Sequence, residues 1–302
     1  MTIISQSKKV SVTIAALFLI GAALMAYGYF VEPNRLVVNQ KVLKIKHWNP
    51  AFDNFKIVAI SDIHGGSHHV TAEKIREVVR LTNEQNADLI VLLGDYVSQM
   101  HENRPIEQRT LKMPMAEIAD NLKGLRAKYG VYAVLGNHDG YYGNAEVAAE
   151  LAGADIRVLQ NELAVIEHNG AKLRILGIKD HLQIKNWENF SESLRLLLLS
   201  TEGVGDVLVL EHAPDILPVI TGNFAVSKDT RLILAGHHHG GQIWLPIIGT
   251  PIIPSGYGQK YAAGHVKDND VDMFVTNGIG TSMLPFRLFV PPEIAVLTVN
   301  GE

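Results

Sequence analysis

The chain has 302 residues, 47% hydrophobic and 19% charged, which excludes a disordered or collagen-like polymer. Lys+Arg number 27 against Asp+Glu 31, a formal net charge of −4, so the basic excess usual in a nucleic-acid binder is missing. Cysteine is absent and histidine is abundant at 13, which excludes disulfides and thiol catalysis and limits any metal site to N and O donors.

Val10 to Val31 forms an uncharged run of 22 residues. As a helix it would extend about 33 Å, enough for the hydrocarbon core of a bilayer. Lys8 and Lys9 precede it, and Tyr27, Tyr29 and Phe30 stand near its far end, where interfacial aromatics belong. A cleaved signal peptide would have a shorter apolar core of roughly 7–15 residues and a small-residue cleavage site. Leu24-Met25-Ala26 matches that site poorly, so the run is expected to be an uncleaved anchor. Lys8 and Lys9 favour a cytoplasmic N-terminus, while Arg35, Lys41, Lys44 and Lys46 pull the other way. The reading leans towards a single-pass protein of the cell membrane with its domain on the extracytoplasmic side.

Residues 32–55 are expected to be a short connector, and 56–302 a single domain. Apolar β-branched runs there end in Gly/Asp/Asn/His clusters and are followed by amphipathic stretches. Strands are predicted at Lys56–Ser61, Asp88–Leu93, Val131–Leu135, Leu163–Glu167, Leu173–Leu176, Val207–Leu210 and Leu232–Leu234, then at Gln259–Val266, Met273–Thr276 and Ile294–Val299. Helices are predicted at Ala72–Asn83, Met115–Ala127, Glu146–Leu151 and Trp187–Leu199. Asn169-Gly170, between two apolar runs, signals a tight hairpin. The alternation implies an α/β fold of sheets covered by helices.

Polar clusters fall at successive strand ends, where α/β sheets collect their ligands. They are Asp62-Ile63-His64, Gly94-Asp95, Gly136-Asn137-His138-Asp139, Glu211-His212 and Gly236-His237-His238-His239-Gly240-Gly241-Gln242. A lone strand-end Asp often only caps the next helix. Five such clusters in this order are a different matter.

The order D-x-H, G-D, G-N-H-D, H, G-H-x-H resembles the calcineurin-like metallophosphoesterase superfamily over nearly the whole chain after the apolar run. The likeness is nearest to a bacterial membrane-tethered subgroup. Its traits here are Glu32-Pro33, Ser61-Asp62-Ile63-His64, Val134-Leu135-Gly136-Asn137-His138-Asp139, Gly240-Gly241-Gln242, and the tail from Asn277-Gly278-Ile279-Gly280-Thr281-Ser282 through Pro292-Glu293. His238 departs from the Thr common between the two GHxH histidines, which bears on tuning of the site rather than on activity.

The resemblance implies a β-sandwich flanked by helices, and two divalent metal ions (Mn, Fe or Zn) at its centre. It implies that one metal takes Asp62, His64, Asp95 and His239. The other would take Asp95, Asn137, His212 and His237, with Asp95 as the bridge. It also implies that His138 is the non-ligating catalytic histidine, with Asp139 placed to orient it or else to cap the next segment. Arg287 is a candidate contact for a substrate phosphate or headgroup, with a structural ion pair as its alternative. His68 and His69 are expected in a solvated loop, and His47, His101, His168, His181 and His265 in ordinary roles. Leu245–Tyr257 is read as a buried hairpin near the site or, alternatively, as a segment facing a membrane or lipid tail.

The expected function is hydrolysis of a lipid-linked or envelope-associated phosphoester, with no nucleic acid and no obligate protein partner. The alternatives are a nuclease or cyclic-nucleotide phosphodiesterase, a UDP-diacylglucosamine-type pyrophosphate hydrolase, and a non-catalytic binding protein.

Overall fold

The computed structural model describes residues 2–100, 105, 108, 110–200, 205–268 and 270–302. His101 lies outside them. The helices in chain order are α1 (Thr2–Ala26), α2 (Ala72–Glu84), α3 (Met115–Leu122), α4 (Asn137–Tyr142), α5 (Asn144–Gly153), α6 (Trp187–Ser200) and α7 (Leu217–Thr221). The first strands are β1 (Val37–Ile45), β2 (Phe55–Ile60), β3 (Leu89–Leu93), β4 (Gln99–Met100), β5 (Thr110–Leu111), β6 (Val131–Val134) and β7 (Arg157–Val158). Then come β8 (Glu162–His168), β9 (Ala171–Gly177), β10 (Asp206–Leu210), β11 (Thr230–Ala235), β12 (Gly264–Asp268), β13 (Val271–Val275) and β14 (Glu293–Gly301).

Two six-stranded sheets, ordered β1-β14-β2-β3-β6-β7 and β12-β13-β11-β10-β9-β8, pack face to face. Each central strand is apolar on both sides because both of its faces are covered. Ile57 and Ala59 of β2 point between the sheets, towards Leu208, Leu210, Leu232 and Leu234 of the opposite one. Val58 and Ile60 point outward, into the layer that holds Ile75 and Val78 of α2 and Ile118 of α3. On the far side, Val207, Val209 and Ile233 pack on Leu194 and Leu198 of α6. The sheets covered by helices are what the strand alternation implies, and their face-to-face packing is the β-sandwich that the resemblance implies.

Three predicted elements differ. The stretch 32–55, expected as a connector, carries β1, which pairs in parallel with β14 from Val37↔Glu293 to Ile45↔Gly301. Gln40, Lys41 and Lys44 of this edge strand are exposed, and their polarity reads as linker. Helix α3 stops at Leu122, and Gly124 at φ 100° turns the chain away. The expected strand Gln259–Val266 is a 3-10 turn (Gly258–Tyr261) followed by β12. The hairpin is as expected: Asn169 and Gly170 join β8 to β9 with φ of 50° and 78°.

One helical segment among the described residues, Lys9–Asn34, is long and apolar enough to cross a membrane. Its end is docked rather than free. Arg287 N–H donates to the Gly28 carbonyl at 3.0 Å. His68 and His69 each donate a ring N–H to the Tyr29 carbonyl at 3.0 Å.

Candidate metal centre

Five parallel strands deliver the polar clusters to one end of the sandwich. β2 leads into Asp62 and His64, β3 into Asp95, and β6 into Asn137 and His138 of α4. From the second sheet, β10 leads into His212 and β11 into His237 and His239. The chain must turn sharply at each exit to aim a side chain across the gap. Asp62, His64, Asp95, His237 and His239 all have φ between 47° and 70°. Non-glycine residues avoid this region, at about 1–3 kcal/mol each. Five such residues at one site mean that the surrounding fold pays for their placement. Gly94 keeps the space open: a Cβ there would stand 2.5 Å from Gly136 N and 2.8 Å from His212 Nδ1.

Hydrogen bonds assign the tautomers. Carbonyls only accept, so His64 Nδ1–H donates to Val97 O at 3.2 Å and His239 Nδ1–H to Gly280 O at 3.2 Å. In the neutral rings both Nε2 atoms are therefore bare lone pairs. They face each other at 3.2 Å. Asp95 Oδ2 lies 3.5 Å from His64 Nε2, and Asp62 Oδ1 lies 3.5 Å from His239 Nε2. Four acceptors converge with no proton between them, a set that a cation satisfies.

A second cluster adjoins the first. His212 Nδ1–H donates to Leu93 O at 2.8 Å, which turns Nε2 towards Asp95 Oδ2 at 3.3 Å, Asn137 Oδ1 at 3.2 Å and His237 Nδ1 at 3.0 Å. One atom, Asp95 Oδ2, thus belongs to both clusters. Its partner Oδ1 is engaged by His138 N–H at 2.8 Å. The ligating atoms of Asp62, His64 and His239 lie within 4.8 Å of one another, as do those of Asp95, His212 and His237. The N/O donor set fits two borderline divalent cations.

Electrostatics follow the same geometry. Burial pushes His64 down to about 3 and holds His237 and His239 well below the usual imidazole range. Burial also opposes charge on His212, but the Asp95 and Asp62 carboxylates outweigh it and lift that ring to about 10. Burial lifts Asp62 to about 6, whereas His212 and His138 overcome burial at Asp95 and hold it well below the carboxylate range. Glu211 meets no hydrogen-bond partner at either oxygen, and burial lifts it well above that range.

His138 sits beside both clusters, its ring 4.9 Å from that of His64. The orienting group is not Asp139, as expected, but Gln99. Gln99 Nε2 donates to the His138 carbonyl at 2.7 Å, so its Oε1 accepts from Nδ1–H of the same residue at 2.8 Å. The Asp139 carboxylate points back from α4 and accepts backbone N–H groups of Asp95 (2.8 Å), Tyr96 (2.9 Å), Val97 (3.3 Å) and Gly136 (2.9 Å). It ties the β3 exit to the β6 exit.

Arg287 likewise departs from expectation. It is fully buried, and its guanidinium donates to the carbonyls of Asn277, Gly278, Gly280 and Val290. It braces the tail loop and leaves no face for a phosphate. Gln242 does similar work, with Nε2 donating to Leu284 O and Phe286 O at 2.8 Å and Oε1 accepting from Ser282 N–H at 2.7 Å. His238 Nδ1–H donates to Tyr261 O at 2.9 Å. The segment Leu245–Tyr257 is not a buried hairpin: Ile247, Ile248 and Ile252 are exposed. A cavity of about 500 Å3 runs from Asp95, Asn137 and His138 to Ile252, Met283 and Leu284.

The family model for calcineurin-like phosphoesterase matches residues 55–241. The uncharacterized metallophosphoesterase YkuE of Bacillus subtilis is 32% identical over 281 residues, covering 91% of this chain and 90% of its own. Phosphodiesterase YaeI of Escherichia coli is 28% identical over 274 residues, covering 90% and 91%. Among solved structures, a putative 5'-nucleotidase from Staphylococcus aureus aligns with TM-score 0.48 and 12% identity, over 82% of this chain and 54% of that one.

Proposed function

Because this chain belongs to the calcineurin-like phosphoesterase family, we propose that it is a membrane-tethered, dimetal hydrolase of a lipid-linked or envelope-associated phosphoester. It is a metal-dependent phosphoric ester hydrolase. The observation that carries the dimetal reading is the single carboxylate oxygen, Asp95 Oδ2, shared between two clusters of N and O ligand atoms. In this reading Asp62, His64, Asp95 and His239 hold one ion, and Asp95, Asn137, His212 and His237 the other. Manganese, iron and zinc all suit such ligands. The anchor is residues 1–31, and the catalytic unit includes β1.

Divalent ions held by these residues would supply Lewis-acid stabilisation of the phosphate oxygens and a lowered pKa for an attacking water. The residues do the rest. Gln99 fixes the His138 ring with Nδ1–H occupied, which leaves Nε2 free to take a proton from solvent and, as the imidazolium, pass it to the departing oxygen. Backbone N–H of His138 keeps Asp95 Oδ1 engaged, so that Oδ2 alone is offered between the clusters. His237 N–H, 3.0 Å from Asp62 Oδ2 and 3.2 Å from Oδ1, fixes the orientation of that carboxylate. Asp139 immobilises the two strand exits that bear Asp95 and Asn137, while Arg287 and Gln242 immobilise the tail loop whose Gly280 carbonyl holds His239.

Support for the lipid-linked part is the docked end of the apolar helix, beside a cavity whose far wall is apolar. The test is hydrolysis of a chromogenic phosphodiester with added Mn(II), followed by comparison of a lipid-linked phosphoester with a nucleotide one. The expected result is metal-dependent turnover with the lipid-linked ester preferred. No turnover of any ester would overturn the hydrolase assignment, and preference for the nucleotide would overturn the lipid-linked one.

A further inference from the structure

We infer that the loops 243–254 and 282–290 form an apolar lip that seats in the bilayer surface and opens the metal site towards the membrane. This inference rests on the tether reading above.

The first observation is a set of exposed apolar residues on these two loops, three of which (Ile252, Met283 and Leu284) line the cavity. Ile247 is fully exposed and Met283 is 85% exposed. Ile248, Ile252, Leu284 and Phe289 are each at least 46% exposed. Single exposed apolar residues need no explanation, but a contiguous set beside a binding cavity marks an interaction surface. The two loops form one unit. Trp244 N–H donates to Leu288 O at 2.9 Å, and Gln242 bonds to the 282–286 backbone on the other side. Ile252, Met283 and Leu284 line the same cavity as Asp95 and His138.

The second observation identifies the occupant. Arg287, in the middle of the second loop, donates its N–H to Gly28 at the end of the apolar helix. Gly28 packs so closely on Phe286 that a Cβ there would overlap its ring. The lip residues Met283, Leu284 and Phe289 are therefore within four residues of the point where the span leaves the bilayer. An apolar rim held at that depth lies at the headgroup–acyl boundary, where large apolar side chains are stabilised. A lipid-borne ester could then enter the cavity without leaving the membrane.

The test uses the full chain in phospholipid vesicles. It has no cysteine, so Met283→Cys accepts one polarity-sensitive fluorophore. Glu167→Cys, at the other end of the sandwich on β8, is the reference. Brominated lipids should quench the label at 283 by about twofold or more and leave the label at 167 unchanged. Equal quenching at both positions, or none at 283, would overturn the lip. So would shielding of the label at 283 that persists in detergent and is lost on dilution, which would instead mark contact with a second copy. A second arm uses Ile247→Asp/Ile248→Asp. Turnover of a vesicle-borne diester should fall roughly tenfold while that of a soluble short-chain diester is unchanged; an equal fall on both would overturn the lip. If quenching at 283 is seen but the unmodified chain hydrolyses no vesicle-borne ester, the lip stands and the lipid-linked substrate reading fails.

Discussion

Gln99 holds His138 from two sides, its amide donating to the carbonyl at 2.7 Å and its oxygen accepting from ring Nδ1 at 2.8 Å. Because a carbonyl cannot donate, this pair of contacts fixes both the amide orientation and the ring tautomer. Gln99→Leu would free the ring to rotate. The expected result is a kcat loss of roughly 10–100-fold with KM and metal content nearly unchanged. Unchanged kcat would show that the ring needs no such clamp.

His138 and His212 are both imidazoles at strand ends, yet their surroundings separate them. His212 shares its Nε2 with Asp95, Asn137 and His237. His138 should be removable without loss of metal. His138→Ala is expected to keep both ions and lose roughly 10²–10⁴-fold in kcat, with a smaller loss on esters of very acidic leaving groups. His212→Ala should lose one ion. Metal analysis after dialysis and kcat on two esters would check both statements.

Asp139 is a structural tie between two strand exits. Asp139→Ala would leave four backbone N–H groups without their acceptor. At about 1–3 kcal/mol for a buried donor left unpaired, the folded state should weaken by about 3 kcal/mol or more. Thermal unfolding measures this. An unchanged melting temperature with reduced kcat would restore the role of orienting His138.

Arg287 should behave as a brace. Arg287→Met strips the donors from four carbonyls of the tail loop and should lower the melting temperature, with a cost of about 2–4 kcal/mol. KM for a small diester should not change in the fraction that remains folded. A raised KM with unaltered stability would identify Arg287 as a phosphate contact after all.

The strand ends were legible in the sequence because buried parallel strands are apolar on both faces and break off abruptly where polar residues begin. Ile57 to Ile60, followed by Asp62 and His64, shows this pattern. Strand β1 was not legible, because an edge strand with Lys41 and Lys44 towards solvent has the composition of a linker. Gln99 carried no motif. It reaches His138 only because the two-stranded ribbon β4–β5 folds back beside the site. Adjacency in sequence misdirected the reading of Asp139. Within the first turn of α4, its side chain faces back to the preceding strand exit, away from the ring of His138. For Arg287 the sequence offers a phosphate contact or a surface or structural ion pair, and nothing in its neighbours reveals the cage of carbonyls around it.

The dimetal account rests on Asp95 Oδ2, which lies 3.5 Å from His64 Nε2 and 3.3 Å from His212 Nε2. Asp95→Asn is nearly isosteric but removes the negative charge from the shared position. The decisive measurement is the metal content of this variant after dialysis, beside the unmodified chain. Loss of affinity at both sites is the predicted result. Full occupancy of both, or clean loss of one with the other unaffected, would contradict a bridging role for Asp95.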